Sequence, residues 1–242
     1  MLIRLAAVPD TQEQMVRLAP EAQQALSLWQ ARVGEIVTVC DPNHKYYRGR
    51  LLADFSSVQV FATLPDTLEP PYRCRICQAI PNRERMIWII QKGVELGASE
   101  IQPIITERSY GMTQEKKIGP RQDKFTTWNK VAAQAARQCR RALLPIVHPP
   151  VLLETILQHF SPTEEGWFLD WPGDPTKKMG AWRCDRTLFV GPEGGWSDRE
   201  RELFQQVKIN PITFGSRLLR TETAALVAMV FCMDSDVSFT VA

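Results

Sequence analysis

The sequence lacks a long hydrophobic run. Its longest apolar stretch, residues 224–233, is about half of the roughly 20 residues that a membrane-spanning helix needs. Residues 1–10 also lack a basic region followed by a long apolar core, the pattern of a signal peptide. We therefore expect no membrane partner and a cytoplasmic location.

Cysteine and histidine are scarce. Six cysteines and three histidines in 242 residues are too few for a disulfide scaffold. Only Cys74 and Cys77 have a metal-binding spacing. Residues 72–80 around them alternate like a β-strand, in which positions three apart point to opposite faces. We therefore predict structural cysteines and no metal site.

Phosphate-binding motifs are missing as well. The chain has no G-x-G-x-x-G and no glycine turn followed by Lys and Ser or Thr. This disfavours a nucleotide-dependent oxidoreductase. Basic and acidic residues nearly balance, at 29 and 27, and 44% of the residues are hydrophobic. The composition is that of a globular protein with a substantial core.

The chain divides at a proline-rich segment. Before it, short strands at 35–40, 46–53 and 58–63 and a helix at 20–30 suggest a small β-barrel. Residues 64–71 (LPDTLEPP) predict a linker. The expected domains are residues 1–70 and residues 72–242.

Strands and helices alternate in the second domain. The predicted strands are 73–79, 101–106, 166–170, 187–190 and 212–214. The predicted helices are 84–96, 121–143, 151–160, 197–207 and an apolar helix through 224–233. This order predicts an α/β fold with a parallel sheet covered by helices on both faces.

Positive charge is concentrated in residues 115–141, which hold eight basic and two acidic residues. A run of one sign within a nearly neutral protein is typical of a phosphate-backbone contact. A solvated helix face explains the run equally well. The candidate RNA contacts are Lys124, Lys130, Arg137, Arg140 and Arg141.

A first candidate site, here called the first bend, is residues 190–197 (VGPEGGWS). It joins a predicted strand to a helix that opens with a capping box, Ser197 to Glu200. Ligands of open α/β sheets bind at such strand ends, and glycines allow close approach to the backbone. Glu193 would repel a phosphate, so a neutral or cationic ligand fits better. A plain connecting turn is the alternative.

A second candidate site is residues 214–225 (FGSRLLRTETAA), of which residues 214–221 are here called the second bend. Charged Arg217, Arg220 and Glu222 stand directly before an apolar helix, where they are costly unless paired or used. The alternative is a structural Arg–Glu pair with Thr221 or Thr223 as the helix N-cap.

Together the two bends resemble the signatures of the RsmE family, SPOUT-class methyltransferases that act on ring nitrogen 3 of a uridine in 16S (small-subunit) ribosomal RNA. Residues 90–97, 101–104, 107–109 and 128–145 also match that family in order and spacing, whereas residues 21–35 match it less. The resemblance implies a trefoil-knot SPOUT domain over residues 72–242, a PUA-like barrel over residues 1–70 that binds RNA, and a homodimer.

The resemblance also implies S-adenosyl-L-methionine (SAM) as the cofactor. The residues implied to bind it are Leu169, Gly191, Pro192, Gly194, Gly195, Gly215, Leu218, Leu219, Thr223 and Ala224. Uracil nitrogen 3 must lose a proton before it attacks, which a carboxylate can accept. A guanidinium can stabilise charge that develops on the uracil oxygens.

On this basis we assign Arg220 to the developing charge and Glu222 or Glu193 to the proton. Two alternatives stay open. One is a knotted methyltransferase for another ribosomal or transfer RNA position, and the other is an RNA-binding relative without catalysis.

Overall fold

A computed structural model describes residues 2–10, 13–65, 69–109, 122–173, 179–180 and 183–233, with only the backbone of 122–125. The chain divides into two compact units. Unit 1 comprises Met1–Pro71 and Asn129–Ile146, and unit 2 comprises Tyr72–Trp128 and Val147–Ala242.

Unit 1 contains a four-stranded antiparallel sheet in the order β1-β4-β3-β2. Its elements are β1 (Met15–Arg17), α1 (Pro20–Trp29), β2 (Ile36–Cys40), β3 (Tyr46–Leu51) and β4 (Ser57–Thr63). Alternate strand residues, such as Val58 and Val60, enter a core that also holds Leu26 and Trp29 of α1. The period-2 pattern of the sequence thus places one face of this sheet against α1.

Unit 2 is built on a parallel sheet, as the alternation of strands and helices predicts. Neighbouring strands follow the order β11-β9-β10-β5-β6, with the short strands β7 and β8 beside β6. The strands are β5 (Cys74–Ala79), β6 (Glu100–Ile105), β7 (Ile146–Val147), β8 (Val151–Leu152), β9 (Glu165–Leu169), β10 (Arg186–Val190) and β11 (Asn210–Ile212).

The helices of the chain after β5 are α2 (Arg83–Glu95), α3 (Gln122–Gln138), α4 (Leu153–Gln158), α5 (Asp198–Gln206) and α6 (Thr221–Met233). Helices α2 and α6 pack on each other, and α4 packs on α5. Stacked and edge-on rings of Phe168, Phe189, Trp196 and Phe204 fill the core beneath α5.

Three predicted elements after residue 72 differ from the structure by two or more residues at a boundary. Helix α3 ends at Gln138 rather than at residue 143, because Arg140 adopts a left-handed conformation with φ of 57°. Strand β11 covers Asn210–Ile212 rather than 212–214. The helix predicted at 151–160 covers only Leu153–Gln158, since residues 151–152 pair with β6 as β8.

The two cysteines of the C-x-x-C segment lie on opposite faces of β5. The Cys74 thiol lies 3.3 Å from that of Cys232 on α6, whereas Cys77 belongs to the aromatic core. Among the described residues there is no cluster of three or more possible metal ligands. Every helix that the structure describes is too short or too polar to cross a membrane.

The segment predicted as a linker contributes Glu69 to a buried ion pair within unit 1. The side chains of Glu69 and Arg141 are only 6% and 7% exposed, and Arg141 Nη2 lies 2.7 Å from Glu69 Oε2. The other carboxylate oxygen of Glu69 accepts hydrogen bonds from the backbone N–H groups of Ala142 and Leu143. Glu69 thereby fixes the chain just after α3.

Replacing Glu69 with Gln should destabilise the protein by about 3–5 kcal/mol, because it removes the carboxylate charge that faces the buried guanidinium of Arg141. Glu35→Gln is the matched control. Glu35 pairs with the more exposed Arg137, and such a pair is worth at most about 1 kcal/mol. Chemical denaturation followed by circular dichroism measures both changes. Equal losses in the two variants would show that burial of the Glu69 pair is not decisive.

Candidate functional site

Both bends lie at the carboxyl edge of the parallel sheet. The first bend follows β10, and the second follows β11, two strands away across β9. A cleft of about 360 Å³ opens at this edge, lined by residues of both bends and by the end of β9. This is where open α/β sheets bind ligands, and the volume lies within the range of small-molecule sites.

The hydroxyl of Thr221 joins the two bends. It donates a 2.7 Å hydrogen bond to the carbonyl of Gly191 in the first bend. It also accepts a 3.0 Å hydrogen bond from the side-chain amide of Gln78, at the end of β5. All three residues are partly or fully buried. Thr221 therefore ties the start of α6 to β10 and β5 as well as beginning the helix.

The ring of Trp196 supports the first bend from below. Its Nε1 donates a 2.8 Å hydrogen bond to the carbonyl of Leu169 at the end of β9. A Cβ atom on Gly191 would stand only 3.1 Å from Cε2 of this ring. Since the ring is buried and its N–H is bonded, glycine is needed at position 191 so that the bend can pack on the indole.

Polar contacts fix the far side of the first bend. Arg108 donates a 2.8 Å hydrogen bond to the carbonyl of Gly194. Ser197 and Glu200 form the capping box that their spacing predicts. The other carboxylate oxygen of Glu200 accepts from the backbone N–H of Glu107. The loop after β6 and the start of α5 thus hold the bend between them.

Most of the predicted site residues line the cleft. They are Leu169, Gly191, Pro192, Glu193, Gly195, Leu218, Leu219, Arg220 and Ala224. Four predicted residues do not line it in the described structure, namely Gly194, Gly215, Glu222 and Thr223. The carbonyl of Gly194 instead accepts a hydrogen bond from Arg108. Gly215 allows the chain to turn, with a φ of 73°.

Sequence reasoning missed Arg85, which lies in the first turn of α2 and lines the cleft. Its Nη1 pairs with Oε1 of Glu193, and its Nε lies 3.5 Å from Oε2 of Glu222. The hydrogen bond to Glu193 raises the pKa of this guanidinium. No sequence motif predicts a functional role for Arg85. The only available signal is a basic residue near the positive end of a helix dipole, where one is unfavourable.

The basic segment contributes fewer free cations than its composition predicts. Lys130 and Arg140 are exposed, while Arg137 pairs with Glu35. The expectation that Arg141 grips phosphate does not fit its buried pair with Glu69. The side chain of Lys124 lies outside the described residues, as do Lys116, Lys117 and Arg121.

Fold and cleft together define an α/β protein that binds a small molecule between two bends at the carboxyl edge of a parallel sheet. A family model described as RNA methyltransferase domain matches residues 68–233. The chain therefore belongs to the RNA methyltransferase family, and the resemblance of its bends to the RsmE family is confirmed.

Individual relatives agree with this assignment. The chain is 25% identical to "Ribosomal RNA small subunit methyltransferase E" of Mesomycoplasma hyopneumoniae over 203 residues, covering 81% of this chain and 84% of the relative. A structure of the Neisseria gonorrhoeae protein of the same name, bound to S-adenosyl methionine, is 25% identical with a TM-score of 0.67, covering 95% and 96% of the two chains. A Legionella pneumophila protein solved with bound SAM is 29% identical with a TM-score of 0.65 and the same coverage.

Thr221→Val should destabilise the protein by about 1–3 kcal/mol. The valine keeps the shape of threonine but removes the hydroxyl donor of the Gly191 carbonyl and one of the two acceptors of the Gln78 amide, the other being the carbonyl of Ala79. Thr223→Val is the matched control, because Thr223 is exposed on the same helical turn, and it should change stability by less than about 0.5 kcal/mol. Denaturant unfolding measures both. A neutral Thr221→Val would mean that the bridge does not hold the bends.

Proposed function

We propose that this protein is a SAM-dependent methyltransferase that methylates ring nitrogen 3 of a uridine in small-subunit (16S) ribosomal RNA. The observation that carries the proposal is that the two bends meet in one cleft, joined by the hydrogen bond from Thr221 to Gly191. The relatives named as small-subunit ribosomal RNA methyltransferases, and the SAM in two neighbouring structures, support the substrate and the cofactor.

The cleft fits the cofactor in shape and in chemistry. Leu169, Ile212 and Leu219 give it apolar walls for an adenosine. Gly195 has a positive φ of 69° and open space where a Cβ would stand, so a ligand can approach the backbone. When bound there, SAM would supply the methyl group.

The protein's own part is to place the uracil and to manage its proton. Arg220 lines the cleft, and no ion pair occupies it among the described residues. Its guanidinium is thus available for the negative charge that develops on the uracil oxygens. Glu193 or Glu222 accepts the proton of nitrogen 3, which makes that nitrogen nucleophilic. Most of the acceleration then comes from positioning.

The exposed cations of unit 1 are the proposed contacts to the RNA backbone. Lys130 and Arg140 are exposed, and Arg48 lies beside Arg140. Burial, and after it the proximity of this second guanidinium, lowers the pKa of Arg48. Two neighbouring guanidiniums attract a phosphate. Arg137 contributes less because its charge is paired with that of Glu35. Arg141 is not a proposed contact, because its side chain is buried against Glu69.

The finer features of the family belong to the same proposal. They are a PUA-like barrel over residues 1–70, a trefoil knot within the methyltransferase domain over residues 72–242, a homodimer and a cytoplasmic location. The antiparallel sheet of unit 1 supports the barrel, and the parallel sheet of unit 2 supports the methyltransferase domain. The family resemblance alone supports the knot, the homodimer and the location.

Mass mapping of ribosomal RNA tests the proposed function. Cells that lack this protein should lose a single N3-methylated uridine from 16S ribosomal RNA, and the wild-type gene should restore it. An Arg220→Gln gene should not restore it, because the charge on uracil is then unsupported. Loss at another RNA position would contradict the proposed substrate.

Calorimetric titration of the purified protein with SAM separates catalysis from RNA binding alone. We expect one SAM per chain, bound by wild type and by Arg220→Gln with similar affinity, since Arg220 is assigned to the RNA base. Absence of SAM binding by a folded wild-type protein that still binds RNA would instead identify a non-catalytic relative.

A further inference from the structure

The backbone of Arg85 is held rigidly at the start of α2. Asn82 is the N-cap of this helix, and its side chain accepts a 3.0 Å hydrogen bond from the backbone N–H of Arg85. Arg85 therefore sits in the first helical turn, and its side chain reaches the cleft. Its position does not depend on either bend.

A cation at this point opposes the helix dipole. The first turn of a helix is the positive end of the macrodipole, where Asp or Glu is stabilising and Arg or Lys is not. The cost is offset by two carboxylates, Glu193 and Glu222, which both contact the Arg85 guanidinium. A locally unfavourable residue that is compensated across the fold is a mark of a functional position.

The two carboxylates come from different bends. Glu193 belongs to the first bend and is 53% exposed, while Glu222 follows the second bend and is 16% exposed. Oε2 of Glu222 is buried and has no hydrogen-bond partner among the described residues, so the charge of Arg85 at 3.5 Å is its main compensation. One guanidinium thus serves both candidate proton acceptors.

Two other arginines line the cleft, and they differ from Arg85. Arg217 and Arg220 are exposed, and within the described chain neither one forms an ion pair. Their charges are exposed to solvent, from which RNA would approach. The charge of Arg85 is already committed to the protein's own carboxylates. The three cations therefore divide into one that holds the site and two that meet the substrate.

We propose that Arg85 is a positioning residue for methyl transfer: it holds the carboxylates of Glu193 and Glu222 in place, where either one can accept a proton. The inference rests on the proposed function. It adds a contribution from α2, outside both bends, to the catalytic arrangement.

Kinetics of Arg85→Gln, Arg85→Lys and Arg83→Gln test this role. Arg83 is the matched control because it is an exposed cation in the same helical turn and does not line the cleft. Arg85→Gln should lower kcat by about 10- to 100-fold, at or below the lower end of the 10²–10⁴ contribution of a general base itself. Arg85→Lys should recover part of kcat, and Arg83→Gln should change it by less than about twofold.

Two measurements without RNA keep the outcome clear. Calorimetry should give a SAM Kd within about threefold of wild type for Arg85→Gln, as expected for a residue that acts on the carboxylates. In the cofactor-free protein, ¹³C NMR of the two glutamate carboxyl carbons, assigned with Glu193→Gln and Glu222→Gln, should show changed chemical shifts in Arg85→Gln and unchanged ones in Arg83→Gln.

Three results would overturn the inference. They are an unchanged kcat in Arg85→Gln, a loss of SAM affinity that accounts for the whole defect, and carboxyl NMR signals that Arg85→Gln does not move. If Arg85→Gln fails to fold, Arg85→Lys carries the same comparisons. If wild type transfers no methyl group, the proposed function fails, and the NMR comparison of Arg85→Gln with wild type still decides whether Arg85 holds the two carboxylates.

Discussion

The hydrogen bond from the Thr221 hydroxyl to the Gly191 carbonyl is the constraint on which the site depends. The bends are separated by the 16 residues 198–213 in sequence and by β9 in the sheet. Sheet geometry alone would leave each bend a free connecting loop. With Thr221 fixed by Gln78 on one side and bonded to Gly191 on the other, the second bend closes over the first. The cleft is the space that remains between them.

The rest of the site follows from holding those bends still. Trp196 fills the space beneath Gly191, so the first bend cannot sink towards the core. Arg85 supplies a third support, from α2, by contacting one carboxylate near each bend. Glycines are then needed only where the backbone turns or packs on the indole. The cations of the cleft differ in their partners. Arg85 is paired with carboxylates of the protein, whereas Arg217 and Arg220 are exposed.

Sequence patterns predicted what is local. The order of strands and helices, the capping box at Ser197 and the existence of both bends follow from periodicity and turn chemistry, and the parallel sheet is confirmed. Contacts between distant segments were not predictable in this way. Arg85 and its carboxylates are over 100 residues apart, and no spacing rule connects them. Arg141 was assigned to RNA because a count of charges does not show burial, and its partner Glu69 stood in a segment with the composition of a linker.

Hydrogen–deuterium exchange with and without SAM tests the central claim most directly, because it reports on both bends at once. If the bends form one cofactor niche, saturating SAM should slow exchange in residues 190–197 and in residues 214–221 together. Strands β2 and β3 of unit 1 serve as the internal reference and should not change. Protection of only one bend, or protection confined to another part of the chain while calorimetry shows that SAM binds, would contradict the account.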